Sequence, residues 1–148
     1  MDIETYAFEP SDVPYTRPRT REECAALMLA DIERHGSFVL SACHGDFGGA
    51  VARFYALAVC VTAPLDLRME RIKRRAREQY GERVLKGGDM YEQQLKFEAF
   101  AASRPLSRIE QWARTLACPV VRVDGTADFR GNAAEVAERY REMTVGHT

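Results

Sequence analysis

Apolar positions along this chain alternate between helical stripes and short unbroken runs. Thr20 and Glu23 form a capping box ahead of Cys24, Leu27, Met28 and Ile32, which recur at helical spacing until Gly36 closes the stretch. Ser37 to Cys43, SFVLSAC, then predicts a strand. A loop from His44 to Gly49 and a short helical stretch through Phe54 lead to a second run, Leu57 to Thr62. That run is uniformly apolar and rich in β-branched residues, which predicts a parallel strand buried on both faces. Pro64 ends it. A helix follows on Leu65, Met69, Ile72 and Ala76.

Beyond that helix, Gly81 to Gly88 reads as a mobile loop, and Asp89 with Glu92 predicts the cap of a helix reaching about Ala102. Pro105 separates it from a helix over Leu106 to Leu116 that contains Trp112. Trp112, Phe97 and Phe100 are expected in the core. Cys118 and Pro119 lead into a strand at Val120 to Val123, Asp124-Gly125 turns out of it, and Asn132 with Glu135 caps a last helix on Val136, Tyr140 and Met143. Ile3 to Phe8 offers a possible fourth strand. Alternating helices and strands predict an α/β fold, a three-layer sandwich around a mostly parallel sheet.

At 148 residues with 46% apolar content, the chain is expected to bury one core as a single domain. The formal charge of -1 argues against a general polyanion binder. No run approaches the roughly 18 apolar residues of a membrane span, and the acidic start lacks the pattern of a signal peptide, so no membrane association and a cytoplasmic location are expected. Cys24, Cys43, Cys60 and Cys118 lack C-x-x-C spacing and read as reduced thiols. His35, His44 and His147 form no metal pattern either.

The candidate chemistry sits in the helix after Pro64. Arg68, Arg71, Arg74, Arg75 and Arg77 crowd it, with Glu70 the only acid between Arg68 and Arg77. Guanidinium forks match phosphate oxygens in charge and shape, and ligands of open α/β sheets bind at the carboxyl ends of strands. Asp46, between Gly45 and Gly48, reads either as a carboxylate that orients an acceptor hydroxyl or holds a magnesium water, or as a turn residue.

From Leu57 to Arg83, LAVCVTAPLDLRMERIKRRAREQYGER, the chain resembles the strand-to-lid region of the P-loop nucleotide kinases, the adenylate-kinase-like branch of the P-loop NTPases. The likeness continues through ERVLKGGDMYEQQLKFEAFAASR and CPVVRVDGT, and Gly87 to Glu92 resembles a motif of small bacterial P-loop ATPases of uncertain substrate. The resemblance implies ATP and Mg2+ as cofactors, with Arg71 and Arg75 as lid arginines and Arg74 as a competitor for the role. It implies a further contact from Arg104, and an adenine-side turn at Asp124 and Gly125. Tyr15 to Arg21, YTRPRTR, would face an acidic substrate group.

The motif G-x-x-x-x-G-K-[ST], whose amides wrap phosphates in that family, does not occur. The opening MDIETYAFEPSDVPYT resembles the family's second strand and following loop, so the chain is expected to lack the first strand, loop and helix, about 30 residues. Such a sheet would have unpaired edges and be marginal alone. The expected function is ATP-dependent phosphoryl transfer to a small molecule, or ATP hydrolysis, in the complete form, with little activity in these 148 residues. The alternative is a degenerate, non-catalytic relative acting as a binding or assembly module, as a homodimer or with a partner that completes the sheet. Nucleic-acid binding is disfavoured by the acidic balance and by the lack of aromatics among the arginines.

Overall fold

The computed structural model describes residues 1–145, and the chain divides into two compact units. One holds Met1–Tyr55 with Arg114–Ala117; the other holds Ala56–Ala113 and the segment from Cys118 onward. His147 lies outside the described residues.

In the first unit, helix α2 (Arg21–His35) forms where its end signals place it. Thr20 accepts from the Glu23 N–H at 3.2 Å while the Glu23 carboxylate accepts from the Thr20 N–H at 2.8 Å. Gly36 closes the helix in the left-handed region, φ 72°. Cys24, Met28 and Ile32 form its buried stripe and pack with Tyr6, Phe47 and Val51, the last in the short helix α3 (Gly49–Ala52).

Two expected strands do not form here. Ile3–Ala7 is a helix, α1, because the Asp2 carboxylate caps the Glu4 N–H at 3.2 Å and the Thr5 hydroxyl donates to the Asp2 carbonyl at 2.7 Å. Ile3 and Tyr6, three apart, both reach the core, a spacing that a short run cannot distinguish from strand alternation. Ser37 to Cys43 is extended but makes only a single parallel bridge, Ser41 to Asp2, with the Ser41 N–H donating to the Met1 carbonyl at 2.9 Å. Its alternation is real: Phe38 and Leu40 pack on the core while Val39 is exposed.

The second unit carries the sheet. Strands β1 (Ala58–Thr62) and β2 (Val120–Asp124) pair in parallel, with Ala58 opposite Val120 and Thr62 opposite Asp124. The fold is therefore mixed α/β, but its sheet has two strands among the described residues, fewer than the sequence suggests. β1 is not buried on both faces either: Val61 is 65% exposed, although Val123 opposite it is buried. Opposed residues share a face, so the cover on that face lies over β2 and stops short of β1.

Helix α4 (Leu65–Tyr80) starts at Pro64 and packs against a 3-10 turn (Gly81–Val84) and helix α5 (Tyr91–Ser103). The expected loop before α5 is thus built, with the Met90 N–H donating to the Arg83 carbonyl at 2.9 Å. Asp89 does not cap α5: Arg83 holds its carboxylate in a fork at 2.9 and 2.7 Å, and Met90 occupies the cap position. Two charge-assisted bonds outcompete one cap bond. Helix α6 (Ser107–Ala113) is shorter than its apolar pattern. Helix α7 begins earlier than expected, running Phe129–Val145, because the Asp128 carboxylate accepts from the Gly131 N–H at 2.9 Å; Asn132 is inside it. Phe100, expected in the core, is 58% exposed. No helix among the described residues is long and apolar enough to cross a membrane.

The first unit's core rests on Met28, which is fully buried. Met28→Ala is expected to lower unfolding free energy by about 2–5 kcal/mol in urea titrations. Leu27→Ala, one position along at 43% exposure, is expected to cost well under half of that.

Candidate functional site at the carboxyl ends of the strands

The carboxyl ends of β1 and β2 meet at Gly125. Its N–H donates to the Thr62 carbonyl at 2.7 Å, and a Cβ on it would stand 2.8 Å from that same oxygen. The approach therefore needs glycine. Asp124 fixes the turn from inside, its Oδ1 accepting from the Thr126 N–H at 2.8 Å and the Thr126 hydroxyl at 2.7 Å. Asn132 Nδ2 donates to the Asp124 carbonyl at 2.8 Å and ties α7 to the strand end.

Arg71 reaches into this turn from α4, its Nη1 donating to the Gly125 carbonyl at 2.7 Å. Two of the expected site elements, Arg71 and the Asp124-Gly125 turn, are thereby joined. Arg74 stands between Glu70 and Glu78 at 3.8 and 3.9 Å, ion-pair distances beyond a hydrogen bond. Arg75 is exposed on α4. Arg104 lies over the Phe100 ring, 5.8 Å from its centre, at the end of α5.

Asp46 belongs to the first unit, where Arg21 Nη2 meets its Oδ1 at 2.7 Å and the Gly48 N–H at 3.4 Å. It is the turn residue that its glycine neighbours suggest, with an arginine of its own. Arg68, one of the arginines crowding α4 but given no role by the resemblance, has its Nε shut off from solvent with no hydrogen-bond partner among the described residues. Its position three residues before Arg71, on one helix face, was the available signal. The Asn132 and Glu135 spacing suits a cap, whereas the bond from Asn132 to Asp124 depends on where β2 ends and leaves no local trace in the sequence.

Among the described residues, no group of three His, Cys, Asp or Glu stands close enough to hold a metal ion. All four cysteines are free; Cys24 is buried and Cys43 exposed.

The uncharacterized protein YqaC of Bacillus subtilis (strain 168) is 30% identical to this chain over 120 residues, covering 74% of this chain and 66% of that protein. The chain thus spans just under two thirds of that relative's length. No family model matches the chain. No solved structure matches it.

The Thr126 N–H, and secondarily its hydroxyl, hold the Asp124 carboxyl below the ordinary carboxylate range. Protonation is then harder in the folded chain than in the unfolded one. The resulting stabilisation is complete above the unfolded value, about 3.9, and is lost as pH falls through the lower folded value. Thr126→Val removes only the hydroxyl bond and is expected to move the Asp124 titration upward, toward the ordinary value, in a carboxyl NMR titration.

Proposed function

We propose that this chain is a nucleotide-kinase-like domain of the P-loop NTPase class, serving ATP-dependent phosphoryl transfer to a small molecule, with the arginines of α4 gripping phosphates. The observation that supports this reading most is the Arg71–Gly125 bond, which holds an arginine-rich helix at the carboxyl end of a parallel strand pair. The order β1, α4, α5, α6, β2 also agrees with a strand that leads into a lid and returns beside itself.

The geometry divides the labour among the arginines. Arg71 is committed to a carbonyl and acts as a strut. Arg74 and Arg75 are exposed, and Arg74's ion pairs are long, so both can turn to a ligand at little cost. Arg68 Nε meets no acceptor among the described residues, and a phosphate oxygen would supply one. These groups fit ATP phosphates, whose transfer the nucleotide's own Mg2+ assists when bound. Guanidinium charge placed there offsets the charge that builds on the transferring group.

Calorimetry with a non-hydrolysable ATP analogue tests the reading. Arg74→Ala and Arg75→Ala are each expected to weaken binding by about tenfold, while Arg139→Ala on α7 leaves it unchanged. Absence of binding at millimolar analogue, or equal binding by all three variants, rejects it.

A second reading, an assembly module, is favoured by the open edge of β1. The Ala58 N–H and the Thr62 carbonyl bond toward β2, so the N–H and C=O groups of Val59 and Val61 point away from it. Leu57 to Ala63 carries no charge to block pairing. Two copies related by a two-fold at Cys60 would exchange hydrogen bonds between Val59 and Val61. That register sets the two Cys60 Cα atoms about 4.5 Å apart, within disulfide reach. Mild oxidation is then expected to yield a covalent dimer that Cys60→Ser abolishes and Cys43→Ser preserves. A monomer at tens of micromolar that does not cross-link counts against this reading.

A further inference from the structure

A depression of about 330 Å³ lies wholly within the first unit, beside α1 and α2, and is walled by Tyr6, Arg19, Leu27, Ala30, Asp31 and Arg34. Its polar groups are unequally engaged. The Asp31 carboxylate accepts from the Tyr6 hydroxyl at 2.8 Å and meets Arg34 Nη1 at 3.4 Å. Burial, and then the bond to Asp31, push the Tyr6 phenol up to about 12, so its proton stays in place across the neutral range. Arg19 Nη1 donates to the carbonyls of Thr5, Tyr6 and Phe8 at 3.1, 3.1 and 2.6 Å, closing the end of α1. Among the described residues, no acceptor meets its Nε or Nη2.

The charge count is therefore two guanidinium groups against one carboxylate that already has two partners. Donors are in surplus, since Arg19 Nε and Nη2 are unbonded among the described residues, although the Glu23 carboxylate in the first turn of α2 also attracts Arg19. A dianion would overcompensate beside Asp31, and a bare inorganic ion would leave the Leu27 and Ala30 wall uncovered. The volume is at the small end of ligand pockets, enough for a ring and one charged group.

We propose that this depression binds a small organic monocarboxylate, its charge on Arg19 and Arg34 and its apolar body against Leu27 and Ala30. The inference is independent of the phosphate-gripping reading, because every residue it uses belongs to the other unit.

Benzoate, acetate, phenyl phosphate and benzyl alcohol, titrated into the full 15N-labelled chain, test it. Benzoate is expected to produce saturable amide shifts at Leu27, Ala30, Asp31 and Arg34, with a dissociation constant of roughly 1 mM, suited to an open, solvated site. Acetate and phenyl phosphate are expected to bind more weakly, and benzyl alcohol to leave these amides unshifted. Arg34→Gln, whose side chain is largely exposed and so replaceable without unfolding, is expected to weaken benzoate by about fivefold. Leu27→Ala is expected to weaken benzoate but not acetate. Benzoate shifts that never saturate, tighter binding of phenyl phosphate than of benzoate, or affinity unchanged by both variants overturns the proposal.

Discussion

Gly125 is the constraint on which the second unit turns. A two-stranded ladder is marginal by itself, and this one is finished at a residue whose N–H bonds to Thr62 and whose carbonyl receives Arg71. One glycine thus joins both strands to α4. Its lack of a side chain is required, since a Cβ would stand within 2.8 Å of the carbonyl that its own N–H uses. Asp124, immediately before it, is held by Thr126 and supports α7 through Asn132. The helix that carries the arginines is positioned by this turn.

What was legible in the sequence follows from how local each cause is. The boundaries of α2 were readable because a capping box and a left-handed glycine act within a few residues. The Leu57 and Val120 runs were readable as strands from their apolar β-branched composition and flanking turns, whereas their direct pairing was not. Less legible were features decided by partners distant in space. Ser37 to Cys43 has strand alternation, yet pairs through one bridge because α1 took the neighbouring residues into a helix. Asp89 has the spacing of a cap and lost that role to Arg83, six residues earlier, whose approach depends on the Gly88 turn. Asn132 was displaced in the same way when Asp128 began α7 a turn sooner.

The candidate site shows the same division. The residue type was readable: an arginine-dense helix after a strand and a proline. The roles were not, because roles depend on which carbonyls and carboxylates each guanidinium finds. Arg71 found a carbonyl 54 positions away, Arg74 found glutamates one turn away on its own helix, and Arg104 found a ring. Asp46, whose position offers either that chemistry or a turn, is engaged by Arg21 in a different unit.

The partners also rank these cations by how readily they can be recruited. An exposed i,i+4 pair at 3.8 to 3.9 Å is worth a fraction of a kcal/mol, roughly, and is screened by salt. Moving Arg74 to an anion thus sacrifices little. Arg71 makes a short charge-assisted bond in a part-buried turn, and breaking it would also release the Gly125 carbonyl. A helix built this way separates anchoring from gripping: the residue that fixes its position is the one least free to contact a ligand, and the residues best able to do so contribute least to holding the unit together. Substitutions at Arg74 or Arg75 therefore isolate ligand contact, whereas any change at Arg71 combines contact with the placement of the whole helix.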